Sequence, residues 1–503
     1  MLLIQFIIVL VGNLRDLPRP GIPEYKHWLN FKNDYGPISS VTVLGQHLIL
    51  IQDRYVATDL LEQMWSKTSG RPIFEFGSKL CGYEKLLMSL QYNATYRRQR
   101  KYIDHQIGSP SRVANFNHIQ DVETRRLLLR CLNDPSHIHQ HFKTQAGAII
   151  LKITYGYSID ATEADPLIEL VGGMVENFSK VFVPFHWFVD MIPALQYLPE
   201  WVPGTGFKGT ARQIKTLLEA SATIPYSFVR RQMASGVNRP SYISSLLQSY
   251  STSDSGSLKI SKEDEESIVW TAAILYGGGA DTTVSSLSSF VLAMLRFPEV
   301  QRKAQKEIDQ VVGTERLPQF QDRKSLPYIE AIVKEIARWF PVAAISTSHM
   351  ADEDIVYNGY LIPKGAILLP STWAIMHDPL TYPNPSVFDP ERFLGLRNEP
   401  DPRTYAFGYG RRRCPGRHLA DDNLFLTITM MLFAFNMRKA VDEQGMEIEP
   451  EVQEKTGLIN HPGDFPCKLV PRSARHIELI RSIEVDHPWE KSDAELLDMS
   501  IGV

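Results

Sequence analysis

The sequence predicts a mostly α-helical chain with a small β region, and three observations lead to this prediction. Helical patterning with short Pro and Gly breaks covers most of residues 54–345. Within that stretch, residues 262–297 keep one helical period over roughly 54 Å. Runs of β-branched residues are confined to 38–52 and 355–369, and each contains a Gly turn. No repeat, low-complexity run or long Gly/Ser linker divides the chain, so one large domain is expected.

Composition and charge exclude some classes of protein. The 503 residues are 44% hydrophobic and 22% charged, and the formal net charge is −4, so the chain lacks the basic excess of a nucleic-acid-binding protein. The cysteines are widely spaced and form no CxxC pair, which argues against a disulfide framework. They are Cys81, Cys131, Cys414 and Cys467. We therefore expect the main part of the chain to face a reducing compartment.

The two ends are expected to differ from the main domain, which spans residues 24–475. Residues 1–23 combine an apolar segment, shorter than the roughly 20 residues of a membrane-spanning helix, with a Pro-rich hinge. The apolar segment is either a short membrane anchor or surface-lying segment, or a buried terminal strand or altered gene start. Residues 476–503 are charged and are expected to form a flexible tail.

The long predicted helix over 262–297 contains an unusual polar and glycine-rich centre. It begins after Ser261 in a pattern that resembles a capping box. The three glycines 277–279 each cost about 1 kcal/mol relative to alanine, and Asp281 and Thr282 follow them. Either a small polar ligand approaches the bare backbone here, or the glycines serve helix packing while Thr282 bonds back to a carbonyl.

A charged pair is expected on the next helix, over 327–340. Glu335 and Arg338 lie three residues apart, so they share one face of a helix that is otherwise apolar. Burial of this pair requires that the two charges neutralise each other. Arg392 lies in an irregular segment further along and offers another cation. The alternative for each charge is a surface salt bridge of little energetic value.

The stretch 407–416, FGYGRRRCPG, carries the most chemical information. Its glycines permit a tight turn and the close approach of a flat ligand. Cys414 precedes Pro415, which is expected to be the first residue of a helix that runs to about Phe435. A helix N-terminus and nearby arginines stabilise a thiolate, and any amide bonded to the sulfur must come from Gly416 or beyond. The alternative is a buried free cysteine that acts as a small hydrophobic residue.

Four stretches, in this order, resemble signatures of the cytochrome P450 family, and the resemblance covers about residues 13–475. They are GGADTT at 278–283, EIAR at 335–338, PERF at 390–393 and FGYGRRRCPG at 407–416. Within this family, the sequence resembles fungal microsomal enzymes of secondary metabolism, including proteins like O-methylsterigmatocystin oxidoreductase. The implied fold places haem b between a long central helix and a cysteine-bearing helix.

The resemblance also implies a role for each matching residue. Cys414 is the expected axial thiolate ligand of the haem iron, and Asp281 and Thr282 are expected to relay protons during oxygen activation. A structural charge cluster is expected from Glu335, Arg338 and Arg392. The remaining cofactor-binding positions are Arg412, Arg100, His349, Phe407 and Gly408. The family's WxxxR pattern has Tyr96 in place of its tryptophan here, and Met350 follows His349 where an arginine is common.

The implied activity is that of an NADPH-dependent monooxygenase. It takes electrons from a separate NADPH–cytochrome P450 reductase, since no flavin or dinucleotide fingerprint is present, and it inserts one atom of dioxygen into an apolar small molecule. The implied location is the endoplasmic reticulum membrane surface, with the catalytic domain facing the cytosol and a short or incomplete anchor. A haem-thiolate isomerase or dehydratase that does not use dioxygen, or a non-catalytic haem protein, remains as an alternative.

Three segments are expected to shape the substrate pocket, namely 181–193, 275–279 and 342–348. The first is rich in aromatic residues and broken by proline. It lines an apolar pocket, touches a membrane surface, or forms ordinary core.

Overall fold

In a computed structural model, the described residues are 12–19, 21–160, 164–183, 186–250, 259–452 and 457–500. They form a mainly helical body with three small sheets, which agrees with the predicted fold class. The apolar segment 1–11, for which two interpretations were open, lies outside the described residues. Among the helices that are described, none has both the length and the continuous apolarity needed to cross a bilayer.

The α-helices follow one another along the chain with short 3₁₀ and π turns between them. They are α1 (Glu24–Tyr35), α2 (Arg54–Thr58), α3 (Trp65–Thr68), α4 (Ala94–Ile107), α5 (Pro110–Val113), α6 (Asn117–Asn133), α7 (Ile138–Tyr155), α8 (Pro166–Val181), α9 (Phe188–Met191), α10 (Phe207–Ala234), α11 (Tyr242–Gln248), α12 (Lys262–Arg296), α13 (Pro298–Val311), α14 (Pro327–Trp339), α15 (Thr372–Met376), α16 (Arg403–Ala406), α17 (Arg417–Ala434) and α18 (Ala474–Asp486).

The strands are short and form one four-stranded mixed sheet and two two-stranded sheets, β4–β5 and β7–β8. They are β1 (Ile38–Val43), β2 (Gln46–Ile51), β3 (His349–Met350), β4 (Ile355–Tyr357), β5 (Tyr360–Ile362), β6 (Ile367–Pro370), β7 (Phe435–Lys439) and β8 (Cys467–Pro471). The main sheet has the order β1-β2-β6-β3, in which β2 and β6 run parallel. The β region predicted over 38–52 is the hairpin β1–β2, and the one predicted over 355–369 contains the hairpin β4–β5. In the second, Asn358 and Gly359 have φ values of +49° and +82°, as an Asn-Gly turn requires.

The central helix α12 divides the hydrophobic core into two parts. Residues before Gly277 pack into one cluster with α7, α8 and α10, and residues from Val284 onward pack into another with α14 and α17. Between the two clusters, residues 278–282 are the longest run of α12 away from its first turn that is not buried. Gly278, Gly279 and the Asp-Thr pair therefore lie in a stretch of α12 that the two core clusters leave partly uncovered.

Two expectations about helix positions need correction. The helix after Cys414 begins at Arg417 instead of Pro415, because Gly416, its N-cap, has a non-helical ψ of 2°. The charged tail is not free, because residues 474–486 form α18. Ser473 caps this helix at its N-terminus, and Ile480 and Ile483 are buried in the core cluster that includes α6. Apolar residues three apart give this otherwise charged segment one buried face.

Candidate functional site

The three glycines of α12 have different neighbours. A Cβ atom on Gly279 would lie 2.8 Å from Cγ1 of Ile150, and one on Gly277 would lie 2.3 Å from the mobile methyl end of Met174. Both glycines therefore allow close helix packing, which is the simpler of the two interpretations. A Cβ atom on Gly278 would meet nothing within 4 Å, so this glycine alone faces open space. The packing interpretation therefore holds for Gly277 and Gly279, and the approach of a polar ligand at Gly278 stays a prediction.

The two polar residues beside the glycines are each held by one hydrogen bond. The Thr282 hydroxyl donates to the Gly278 carbonyl over 2.7 Å, which is the back-bonding considered from the sequence. The Asp281 Oδ2 atom lies 3.0 Å from Nε2 of His461. His461 was not predicted from the sequence, because it lies in an irregular segment 180 residues away and belongs to no local motif.

The Cys414 loop is closed by its own backbone. The Cys414 amide donates to the Phe407 carbonyl over 2.8 Å, and Gly408 and Gly410 have φ values of +78° and +52°. A Cβ atom on Gly410 would lie 2.5 Å from the Leu61 carbonyl oxygen, so glycine is required there. Gly408 has no such neighbour, since only Arg412 and Arg413 backbone atoms come as near as 4.0 Å.

Two opposing influences act on the pKa of the Cys414 thiol. Burial raises its pKa, while the amides of Gly416 and Arg417 and the cations Arg100 and Arg417 lower it, and burial is the larger influence. The amides come from Gly416 and beyond, in agreement with the sequence argument. A metal cation bound to the sulfur would displace the thiol proton.

Next to this loop lies a buried group of basic side chains, Arg412, Arg71 and His349. Arg412 donates to the carbonyls of Ser69 and Leu90, but its Nη1 atom is buried without a partner. Burial, reinforced by Arg412, lowers the pKa of Arg71 to about 9. Burial, reinforced by Arg71 and then Arg412, lowers that of His349 well below its usual value. Such a group fits a ligand that carries carboxylates.

Arg71 was not identified from the sequence. It donates to the carbonyls of Met88, Thr347 and Ser348, the last two more than 270 residues away in the chain.

Arg100 and Tyr96 have partners within the protein. Arg100 forms an ion pair with Asp104 at 2.9 Å and donates to the Arg413 carbonyl. It is one of the cations that lower the pKa of the Cys414 thiol. Tyr96 stands where the family has a tryptophan, and its ring lies 4.1 Å from the Arg412 guanidinium. The substitution thus keeps an aromatic face against the arginine.

The predicted charge cluster is fully buried. Glu335 Oε2 lies 2.7 Å from Arg338 Nε, and Glu335 Oε1 lies 3.3 Å from Arg392 Nε. Arg392 also donates to the carbonyls of Pro383 and Asn384. The cluster therefore ties α14 to the irregular segment that leads into the Cys414 loop.

An aromatic cavity lies beside the group of basic side chains, and Arg71 contributes to its lining. The Phe74, Phe178 and Phe182 rings are in contact, with centroids of Phe178 and Phe182 4.8 Å apart. Its other lining residues are Arg71, Pro72, Met88, Ser89, Thr347, Ser348 and Leu458. Two of the segments expected to shape a pocket, 181–193 and 342–348, contribute to this lining.

The donor set fits a flat, iron-containing and doubly carboxylated cofactor. Cys414 offers a metal-binding sulfur beside a tight glycine turn, Gly278 faces open space, and the Nη1 atom of Arg412 lacks a partner. Asp281 and Thr282 lie in the same unburied stretch of α12 as Gly278.

Comparisons with known proteins agree with this arrangement. A family model described as Cytochrome P450 matches residues 5–466. The chain is 48% identical over 495 residues to "Cytochrome P450 monooxygenase CLM2" of Gibberella zeae, covering 98% of this chain and 93% of that protein. It is 38% identical to "O-methylsterigmatocystin oxidoreductase" of Aspergillus flavus, covering 96% and 90%. A solved zebra fish cytochrome P450 with abiraterone shares the fold, with a TM-score of 0.70, 21% identity and coverage of 90% and 100%.

Proposed function

Because the chain belongs to the cytochrome P450 family, whose members hold haem b through a cysteine thiolate, we propose that Cys414 is the iron ligand of a monooxygenase. The observation that carries the proposal is the Cys414 loop beside the buried group of basic side chains, in which Arg412 has an unpartnered donor. The family uses dioxygen, a redox partner and a small-molecule substrate. For this chain we propose an apolar fungal secondary metabolite as substrate and an NADPH–cytochrome P450 reductase as electron donor.

Each part of the site has a proposed task in holding the cofactor. Cys414 supplies the sulfur ligand, and Phe407 and Gly408 form the turn that brings it near the cofactor. Arg412, His349 and Arg100, together with Arg71, bind the carboxylates. The bound haem supplies the iron at which dioxygen is activated.

The remaining residues are proposed to bind the substrate and to supply protons. The phenylalanine-lined cavity excludes water and holds an apolar molecule. Asp281 and Thr282 supply protons from α12. Overall, the substrate R–H, dioxygen, two electrons and two protons give R–OH and water, so the protons must reach a site that apolar side chains otherwise keep dry.

Turnover of the purified protein tests the proposal. With NADPH, the reductase and a panel of apolar terpenes and polyketides, we expect oxygenated products that contain one atom from isotope-labelled dioxygen. Omission of NADPH is the control. Product formed at an equal rate without NADPH would favour an isomerase or dehydratase, and no substrate-dependent NADPH use would favour a non-catalytic haem protein.

We also propose that the segment 188–201 touches the endoplasmic reticulum membrane surface. Phe188, Tyr197 and Trp201 expose 72%, 81% and 82% of their surface, and Ile192 is also exposed. Such a cluster on a folded protein marks an interaction surface, and Trp and Tyr are enriched at membrane interfaces. Contact of this segment with the cytosolic leaflet would place the catalytic domain in the cytosol.

Vesicle flotation tests this membrane contact. We expect the double variant Tyr197→Ser, Trp201→Ser to bind phosphatidylcholine–phosphatidylserine vesicles more weakly than the unmodified chain, because it loses apolar area. The variant Leu380→Ser, Leu396→Ser is the matched control, since those leucines are exposed elsewhere. Equal losses in the two variants would contradict a specific role for 188–201.

A further inference from the structure

We propose that His461 is a positioning residue for Asp281, holding its carboxylate in the orientation from which this acid passes protons into the site. The inference rests on the proposed function, because it assumes that Asp281 takes part in proton transfer. The contact that carries it joins Nε2 of His461 to Oδ2 of Asp281 over 3.0 Å. An imidazole N–H that donates to a carboxylate fixes the direction of that carboxylate.

The backbone around His461 is anchored to the same face of α12. Asp281 and Ser285 lie four residues apart, so they share one face of the helix. The Ser285 hydroxyl donates to the Asn460 carbonyl, and the Asn460 amide donates to the Val342 carbonyl over 2.7 Å. Consecutive residues of the irregular segment therefore bind successive turns of α12. Because Asn460 is fixed at both its amide and its carbonyl, little entropy remains to be lost when His461 orients Asp281.

The Asp281 carboxylate has few other constraints. Across the described ranges, His461 is the only side chain that the structure places within hydrogen-bond distance of it. The neighbouring Thr282 hydroxyl is turned to the Gly278 carbonyl. Asp281 is 26% exposed and lies in the stretch of α12 that is not buried. Without His461, this carboxylate would rotate freely between the site and solvent.

If the Asp281 carboxylate rotated freely, more of the electrons from NADPH would reduce dioxygen to hydrogen peroxide. If protons are not delivered where insertion needs them, dioxygen takes up two electrons and two protons and leaves as hydrogen peroxide, while the substrate is unchanged. The peroxide share, which is the amount of hydrogen peroxide formed per NADPH oxidised, therefore reports on the position of Asp281. A role in folding alone would lower the amount of active protein but would not alter this share.

Two replacements separate positioning from the other roles of a histidine. His461→Phe keeps a ring but loses the donor, and His461→Gln keeps an N–H donor but loses the ring. With reductase, NADPH and 7-ethoxycoumarin as the probe, we expect the phenylalanine variant to form product about tenfold more slowly, as when a partner that orients a functional ligand is removed. It should also form more hydrogen peroxide per NADPH oxidised, and the glutamine variant should restore much of the product rate and lower the peroxide yield again.

The matched control is His137→Phe. His137 forms a pair with Asp134 at 2.7 Å, but both side chains are largely exposed and lie outside the site. We expect this variant to behave as the unmodified enzyme. A peroxide share in His461→Phe equal to that of the control, or no recovery in His461→Gln, would overturn the positioning role.

Equilibrium unfolding in urea provides a readout that does not depend on turnover. The variants are His461→Phe, Asp281→Asn and the double variant, all loaded with haem. If the two side chains contact each other, the shift of the unfolding midpoint in the double variant will differ from the sum of the single shifts. Additive shifts would overturn the inference. An unmodified protein that forms no thiolate-type carbon-monoxide complex would instead refute the proposed function, so the two failures are distinguishable.

Discussion

Replacing Cys414 with alanine is expected to abolish the thiolate-type absorption of the carbon-monoxide complex and to reduce turnover to background. The sulfur is the one soft, metal-binding atom of its loop, and no second cysteine stands close by to replace it, since Cys81, Cys131 and Cys467 belong to other elements. In haem-thiolate enzymes the sulfur pushes electron density onto the iron and favours cleavage of dioxygen. The measurements are the absorption spectrum and product formation with reductase and NADPH.

A matched control comes from a cysteine elsewhere in the chain. Cys467, on β8, is partly buried like Cys414 but lies on a strand that pairs with β7. We expect Cys467→Ala to retain both the spectrum and turnover. If Cys414→Ala kept the native Soret absorption and full hydroxylating activity, the assignment of the iron ligand would be wrong.

The features that sequence predicted well are those that local chemistry determines. Asn358-Gly359 has the residues that a two-residue hairpin turn needs, and the turn is present. The three glycines of α12 could be identified because each glycine inside a helix costs about 1 kcal/mol relative to alanine. The loop before Cys414 could be identified because its glycines permit a tight turn. Glu335 and Arg338 could be paired because helical spacing places them on one face. In each case the feature is determined by a few residues that are neighbours in the sequence.

The features that sequence missed depend on distant parts of the chain. The buried Arg71 guanidinium donates hydrogen bonds to the carbonyls of Thr347 and Ser348, which are distant in the chain. His461 contacts Asp281 only when the segment 457–466 packs against α12. Neither residue has a pattern in its own neighbourhood. The first turn of α17 was misplaced because proline favours the first position of a helix but does not determine whether the next residue, Gly416, is helical.

The charge cluster of α14 is removed from solvent. Glu335, Arg338 and Arg392 are each 1% exposed or less, so their charges have no water to stabilise them. One carboxylate serves two guanidinium groups, and it also accepts from the Asp389 amide over 2.8 Å. Because the peptide carbonyls around Arg392 complete its hydrogen bonds, the cluster holds the segment before the Cys414 loop in place.

Removing the one carboxylate of this cluster is expected to be strongly destabilising. Glu335→Gln would leave two buried cations without an opposing charge, at a cost of about 3–5 kcal/mol in the free energy of unfolding. The matched control Glu176→Gln removes the exposed partner of Lys180 on α8 and should cost less than about 1 kcal/mol. Urea unfolding measures both, and the haem content of the purified variant should fall with its stability, because the cluster anchors the approach to Cys414. Equal costs for the two variants would mean that solvent or a neighbouring group compensates the buried arginines, and the cluster would then have no structural role.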